Sequence, residues 1–190
     1  LIALGVKLKS CGYEILATTS SENVGFFGKF GLKAVAVWPD LEAFFQSDDK
    51  MKKAMSSGNA MAMMEGQAGY TSKNRPEVLK KQWGVVKDFR PDIIISGTDE
   101  LASASAYSQI LKVPFVNAGL QIIAVTSQSK SMFGESFWHR AAWVLLFAVF
   151  WSEMKKDNKV IKDVLGDELG GKVMGETSLP AFLREWHAPI

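Results

Sequence analysis

A chain of 190 residues, 47% hydrophobic and 22% charged, has the material for one packed domain, and these proportions exclude disorder. Lysine and arginine number 22 against 20 aspartates and glutamates, a formal net charge of +2 that gives no support for a nucleic-acid surface. The single cysteine, Cys11, excludes a disulfide or a cysteine zinc cluster within these residues and fits a reducing, cytoplasmic setting.

The opening residues set Ile2, Leu4, Val6 and Leu8 among Lys7 and Lys9, a pattern compatible with strand or helix. The stop at Ser10-Cys11-Gly12 resembles a helix C-terminus, with Gly12 free to take the left-handed cap. Tyr13 to Thr18 then reads as a buried strand. Thr19 to Ser21 offers N-caps for a short helix through Phe30, closed by Gly31. Leu32 to Val37 reads as a second strand, ended by Pro39. Connections this tight predict parallel strands joined by crossover helices.

From Asp40 to Thr71 the character changes. Phe44 and Phe45 lead into a methionine-rich stretch holding Met51, Met55, Met61, Met63 and Met64, with a break expected at Ser56-Ser57-Gly58-Asn59. Two readings stand side by side: a loosely packed helical excursion, or an adaptable apolar surface for a lipid-like ligand.

The α/β rhythm returns at Pro76. Val78, Leu79, Trp83, Val86 and Phe89 share one helical face, which Arg90-Pro91-Asp92 brings to an end. Ile93 to Ser96 is a β-branched run suited to a central parallel strand. A turn at Gly97 to Glu100, a helix from Leu101 to Leu111 and a strand at Phe115-Val116-Asn117 complete a βαβ unit. Phe133 to Lys156 reads as a long aromatic helix whose apolar centre, Ala141 to Trp151, is about half of what a membrane span needs. It fits a buried helix on a sheet or, alternatively, a membrane-contacting face. After Val160 to Leu165 come a glycine-rich link, Gly166 to Gly175, and a short helix from Ser178 to Trp186.

No nucleophile elbow, Walker loop, dinucleotide-binding glycine fingerprint or metal-ligand cluster occurs, so neither a metal nor a cofactor is expected. His139 and His187 read as structural or surface histidines. One turn stands out. Ligands of open α/β sheets bind beyond the carboxyl ends of the strands, which is where Thr98, Asp99 and Glu100 fall. Asn117 and Gln121 follow the next strand at the same edge. Helix capping explains Thr98 and Asp99 equally well, and the two roles can coexist.

At this point the residues resemble a family. The run Leu1-Ile2-Ala3-Leu4-Gly5-Val6-Lys7-Leu8-Lys9-Ser10-Cys11-Gly12-Tyr13-Glu14-Ile15-Leu16-Ala17-Thr18 resembles the first helix and second strand of glycosyltransferase family 28 N-terminal domains. The likeness is closest to sterol 3-beta-glucosyltransferase-like members. Lys87 to Ser96 looks like that family's helix-to-strand junction, and Lys112-Val113-Pro114-Phe115-Val116 like its next strand. Trp138 to Asp157 is similar to its long helix after the acceptor loop, and Trp186 to Ile190 to the approach to its last strand. The motifs cover nearly the whole chain in order.

The resemblance implies an α/β fold, a Rossmann-like three-layer sandwich with a parallel sheet, spanning residues 1–190 as the N-terminal half of a GT-B enzyme and truncated at both ends. It implies inverting transfer of a hexose from a UDP-sugar to the hydroxyl of a sterol or other lipid-like acceptor, without an essential metal. The UDP-sugar would be held by a C-terminal domain expected after Ile190. The base, an aspartate in a loop expected before Leu1, has no counterpart here, so no catalytic residue carries over. Carried over is the acceptor side: Thr98, Asp99, Glu100, Asn117, Gln121, Phe133, Phe137 and Trp138. Peripheral membrane contact is a family expectation too. The competing reading is a non-catalytic lipid or small-molecule binding module of Rossmann-like fold.

Overall fold

The computed structural model describes residues 1–97, 100–118, 148, 152 and 155–169. It divides into two compact units, Leu1–Arg90 and Pro91–Ile190.

In the first unit, helix α1 (Ile2–Ser10) precedes strand β1 (Leu16–Ser20). The helix ends as its glycine requires. Gly12 takes a φ of 92° and its N–H donates to Lys9 O at 3.0 Å, while the Tyr13 N–H donates to Leu8 O at 3.3 Å. These two bonds satisfy carbonyls that the helix end would otherwise orphan. Because Tyr13 is committed to the helix stop, β1 starts at Leu16, three residues beyond the expected Tyr13.

A short 3-10 turn (Ser21–Asn23) and helix α2 (Val24–Lys29) then cross to strand β2 (Lys33–Trp38). The α2 end repeats the arrangement at Gly31, whose N–H donates to Gly28 O at 2.9 Å as Leu32 N–H donates to Phe27 O at 3.2 Å. The strands are parallel, from Leu16↔Lys33 to Thr19↔Ala36. A register shift between Thr19 and Ser20 then sets Ser20 opposite Trp38. Helix α1 lies on this pair at Gly5, where an added Cβ would stand 3.1 Å from a Leu32 methyl. The Lys9 ammonium donates to Gly31 O and ties the same helix to the turn.

The segment after Pro39 is helical and its break falls where the sequence places it. Helices α3 (Leu41–Ser47), α4 (Asp49–Ser56) and α5 (Ala60–Phe89) follow one another, each opened by a side-chain cap. Asp40 Oδ1 accepts from Ala43 N–H at 2.8 Å, Asp48 Oδ1 from Met51 N–H at 2.8 Å, and Asn59 Oδ1 from Ala62 N–H at 3.1 Å. The 30 residues of α5 correct one expectation: the helix starts at Ala60, not near Pro76, which lies inside it. Proline costs a helix the N–H to the carbonyl four residues back, here that of Ser72. Ser72 and Pro76 are both exposed, so water can satisfy that carbonyl.

Helix α5 packs on β2 and α4. Its buried stripe is Arg75, Val78, Leu79, Gln82 and Trp83, the expected apolar face with two polar members added. Val86 and Phe89 are half-buried. Met51, 1% exposed, sits where a side chain at Gly66 would stand, so that glycine is what lets α4 and α5 close together.

In the second unit, strand β3 (Ile94–Ser96), helix α6 (Leu101–Leu111) and strand β4 (Phe115–Asn117) form the expected βαβ unit. β3 and β4 are parallel, with Ile94↔Phe115, Ile95↔Val116 and Ser96↔Asn117 as partners. Every residue of α6 from Leu101 to Tyr107 is buried, which suits the small side chains of its Ala-Ser-Ala-Ser-Ala run. The helix stops at Lys112, left-handed at φ 56°. Residues 155–165 are helical with Asn158, Ile161 and Leu165 buried, and a 3-10 turn (Gly166–Glu168) follows. Of the long aromatic helix expected over Phe133 to Lys156, residues 148, 152, 155 and 156 are helical, and the rest lies outside the described residues. So does the helix expected from Ser178 to Trp186.

The fold is therefore mixed α/β and mostly helical. Its four described strands pair in parallel as two two-stranded sheets, β1-β2 and β3-β4. No helix among the described residues is long and apolar enough to cross a membrane.

Candidate functional site at the carboxyl ends of the second strand pair

The last rung of β3 and β4 brings Ser96 and Asn117 together. The backbone is engaged at both ends of the ladder: Ala118 N–H donates to Ser96 O at 2.8 Å just past the last rung, and Ile94 N–H to Pro114 O at 3.0 Å just before the first. The side chains are not. Ser96 is 7% exposed, and neither its Oγ nor the buried Asn117 Oδ1 has a hydrogen-bond partner. Polar atoms in this condition are rare in folded proteins, because each has lost water without replacement.

Glu100 closes the turn into α6. Its N–H donates to Gly97 O at 3.3 Å. Its carboxylate accepts from the Ser103 hydroxyl at 2.7 Å, and the same hydroxyl lies 3.0 Å from Glu100 O. Ser103 thus orients Glu100 at the helix entrance, a structural task. Among the candidates from the sequence, then, Glu100 lies in the turn between β3 and α6, and Asn117 ends β4 of the same βαβ unit. Thr98, Asp99, Gln121, Phe133, Phe137 and Trp138 lie outside the described residues.

Ser96 was not among those candidates. Its signal was present as the one polar residue closing the Ile93-Ile94-Ile95 run at a carboxyl end. What the sequence could not convey is that its hydroxyl would be covered and left without a partner.

The carboxyl ends of β1 and β2 carry a second cluster, and its members satisfy one another. Asn23 Nδ2 donates to Ser20 Oγ at 2.8 Å, and Tyr70 Oη donates to Pro39 O at 3.0 Å. Phe44 stacks on Tyr70 with ring centroids 4.4 Å apart, and the Arg75 guanidinium lies 5.8 Å from the Trp38 ring. Burial raises the Tyr70 phenol above its ordinary value, and the Glu22 and Asp40 carboxylates push it the same way. A neutral phenol is the form that donates to Pro39, so hydrogen bond and ionisation agree. Among the described residues no group of three or more His, Cys, Asp or Glu side chains is placed to hold a metal ion.

The chain matches no model of a known protein family, and no curated protein matches it.

Proposed function

We propose that the chain is the acceptor-binding domain of an inverting glycosyltransferase that moves a hexose from a UDP-sugar to the hydroxyl of a sterol or similar lipid. The proposal includes the finer architecture, a Rossmann-like three-layer sandwich forming one half of a GT-B enzyme. The observation that carries its binding part is the rung of Ser96 and Asn117. Two buried polar atoms without partners stand at the paired carboxyl ends of parallel strands, the end at which open α/β folds take ligands. The sugar-transfer part is supported by the order of sequence motifs from Leu1 to Ile190 that resembles family 28 N-terminal domains.

In this reading the chain supplies position and selectivity. A large flat acceptor is held through apolar area, worth about 25 cal/mol per Å2 removed from water. Deprotonation of the acceptor hydroxyl and stabilisation of the departing diphosphate fall to groups beyond these residues.

The test is UDP release by the full-length gene product given UDP-glucose, with and without cholesterol. Release that depends on cholesterol and persists in a chelator supports the reading. Cholesterol binding without UDP release from any hexose donor would replace it with the non-catalytic binding module. Absence of both would sink it.

A further inference from the structure

Ser96 Oγ and Asn117 Oδ1 belong to partners in a parallel ladder, so their side chains project to one face of it. The two strands lie about 4.8 Å apart there, within the span of one small group. Leaving both atoms bare exacts a desolvation cost with no return in the free protein. Such costs persist where a ligand or a water completes the bonding.

The chemistry of the two atoms restricts what completes it. Asn117 Oδ1 only accepts, so it needs an O–H or N–H. The Ser96 hydroxyl donates or accepts. With Oδ1 as the unpartnered atom an anion would set lone pairs against it, and the strand segments 94–97 and 113–118 themselves carry no lysine or arginine to offset that. A hydroxyl answers both atoms at once, donating its hydrogen to Asn117 Oδ1 and accepting the Ser96 hydrogen.

We propose that the Ser96–Asn117 rung is a specificity element that grips one uncharged hydroxyl of the ligand and discriminates against the same molecule with that hydroxyl capped or missing. This rests on the reading of the β3-β4 edge as a binding end. It is independent of whether the ligand is a lipid and of whether sugar is transferred.

The experiment titrates the intact chain with cyclohexanol and with cyclohexyl methyl ether, following the Asn117 side-chain amide and the Ala118 backbone amide by NMR. Cyclohexanol shifts both resonances and binds about tenfold or more tighter than the ether, since a site built for a hydroxyl strongly penalises its absence. Ser96→Ala and Asn117→Leu, read at Ala118, each lose that preference while Tm holds or rises, because a bare buried polar atom has been removed. Equal response to alcohol and ether, or variants that keep the preference, overturns the proposal. A water-filled structural rung is recognised by a fall in Tm with no preference to lose, and that result overturns it as well. Cholesterol and its 3-methyl ether separate this inference from the lipid reading. Equal binding of the two defeats the rung and spares the lipid acceptor; capture of cyclohexanol without cholesterol does the reverse.

Discussion

At the scale of single residues, four buried side-chain polar atoms among the described residues lack a hydrogen-bond partner, those of Trp83, Ser96, Asn117 and Asn158, and two of them, on Ser96 and Asn117, belong to one rung of a ladder. Tyr70 shows the ordinary case. Its folded-state pKa is raised, first by burial and then by Glu22 and Asp40, so the fold favours the neutral phenol. Its contribution to stability is therefore complete below the unfolded value of 10.0 and is lost as pH rises through the folded one. An ultraviolet difference titration between the native chain and Tyr70→Phe should place this ionisation above the ordinary tyrosine range; an inflection at or below it would contradict the assignment. Lys112 is the second case. It ends α6 in the left-handed region, which costs a side-chain-bearing residue roughly 1–2 kcal/mol, and it is exposed. Lys112→Gly should raise unfolding free energy in urea by about 1 kcal/mol, with a loss pointing instead to a role for the lysine side chain.

At the scale of elements, caps and glycines decide where helices start, stop and touch. Asp48 caps α4 and its acceptor bond fixes the Met51 N–H, one residue of the buried core. Asp48→Ala should cost about 1 kcal/mol in denaturant unfolding. Two glycines of α5 should respond in opposite directions. Gly66→Ala drives a Cβ into buried Met51 and should destabilise by about 1–3 kcal/mol. Gly69→Ala meets nothing within 4 Å and should stabilise by about 0.5–1 kcal/mol through helix propensity alone. Equal effects at the two sites would show that α4 and α5 do not pack as described.

These same elements explain what the sequence disclosed. The helix ends at Gly12 and Gly31 were legible because a left-handed glycine closes a helix by local bonding alone. The βαβ unit was legible because Ile93 to Asn117 alternates strand, helix and strand with turn residues between them. The start of α5 was not. Pro76 looks like a first-turn proline, and only the buried stripe through Arg75 together with the Asn59 cap carries the helix through it. Strand β1 was misplaced for a similar reason, since Tyr13 has strand character by type but serves the preceding helix stop. Burial of individual polar atoms depends on what covers them from elsewhere in the chain, so the bare Ser96 hydroxyl had no local signature.

At the scale of the whole molecule, the chain combines two compact units, each with parallel strands linked by helices. Parallel pairs place all their carboxyl ends together, and that geometry concentrates the loops and polar side chains with which α/β proteins meet ligands. The β1-β2 end closes on itself through Asn23, Tyr70 and the Trp38–Arg75 contact. The β3-β4 end leaves two acceptor-capable atoms bare. This asymmetry favours the second pair as the ligand end and leaves the first a structural role.

The most direct test of that assignment is equilibrium binding of cholesterol to the intact chain, followed by tryptophan fluorescence and repeated with Asn117→Leu. The expected result is saturable binding that the substitution weakens about tenfold or more without lowering Tm. Binding that is absent, or that the substitution leaves untouched, would contradict the placement of a lipid acceptor at the ends of β3 and β4.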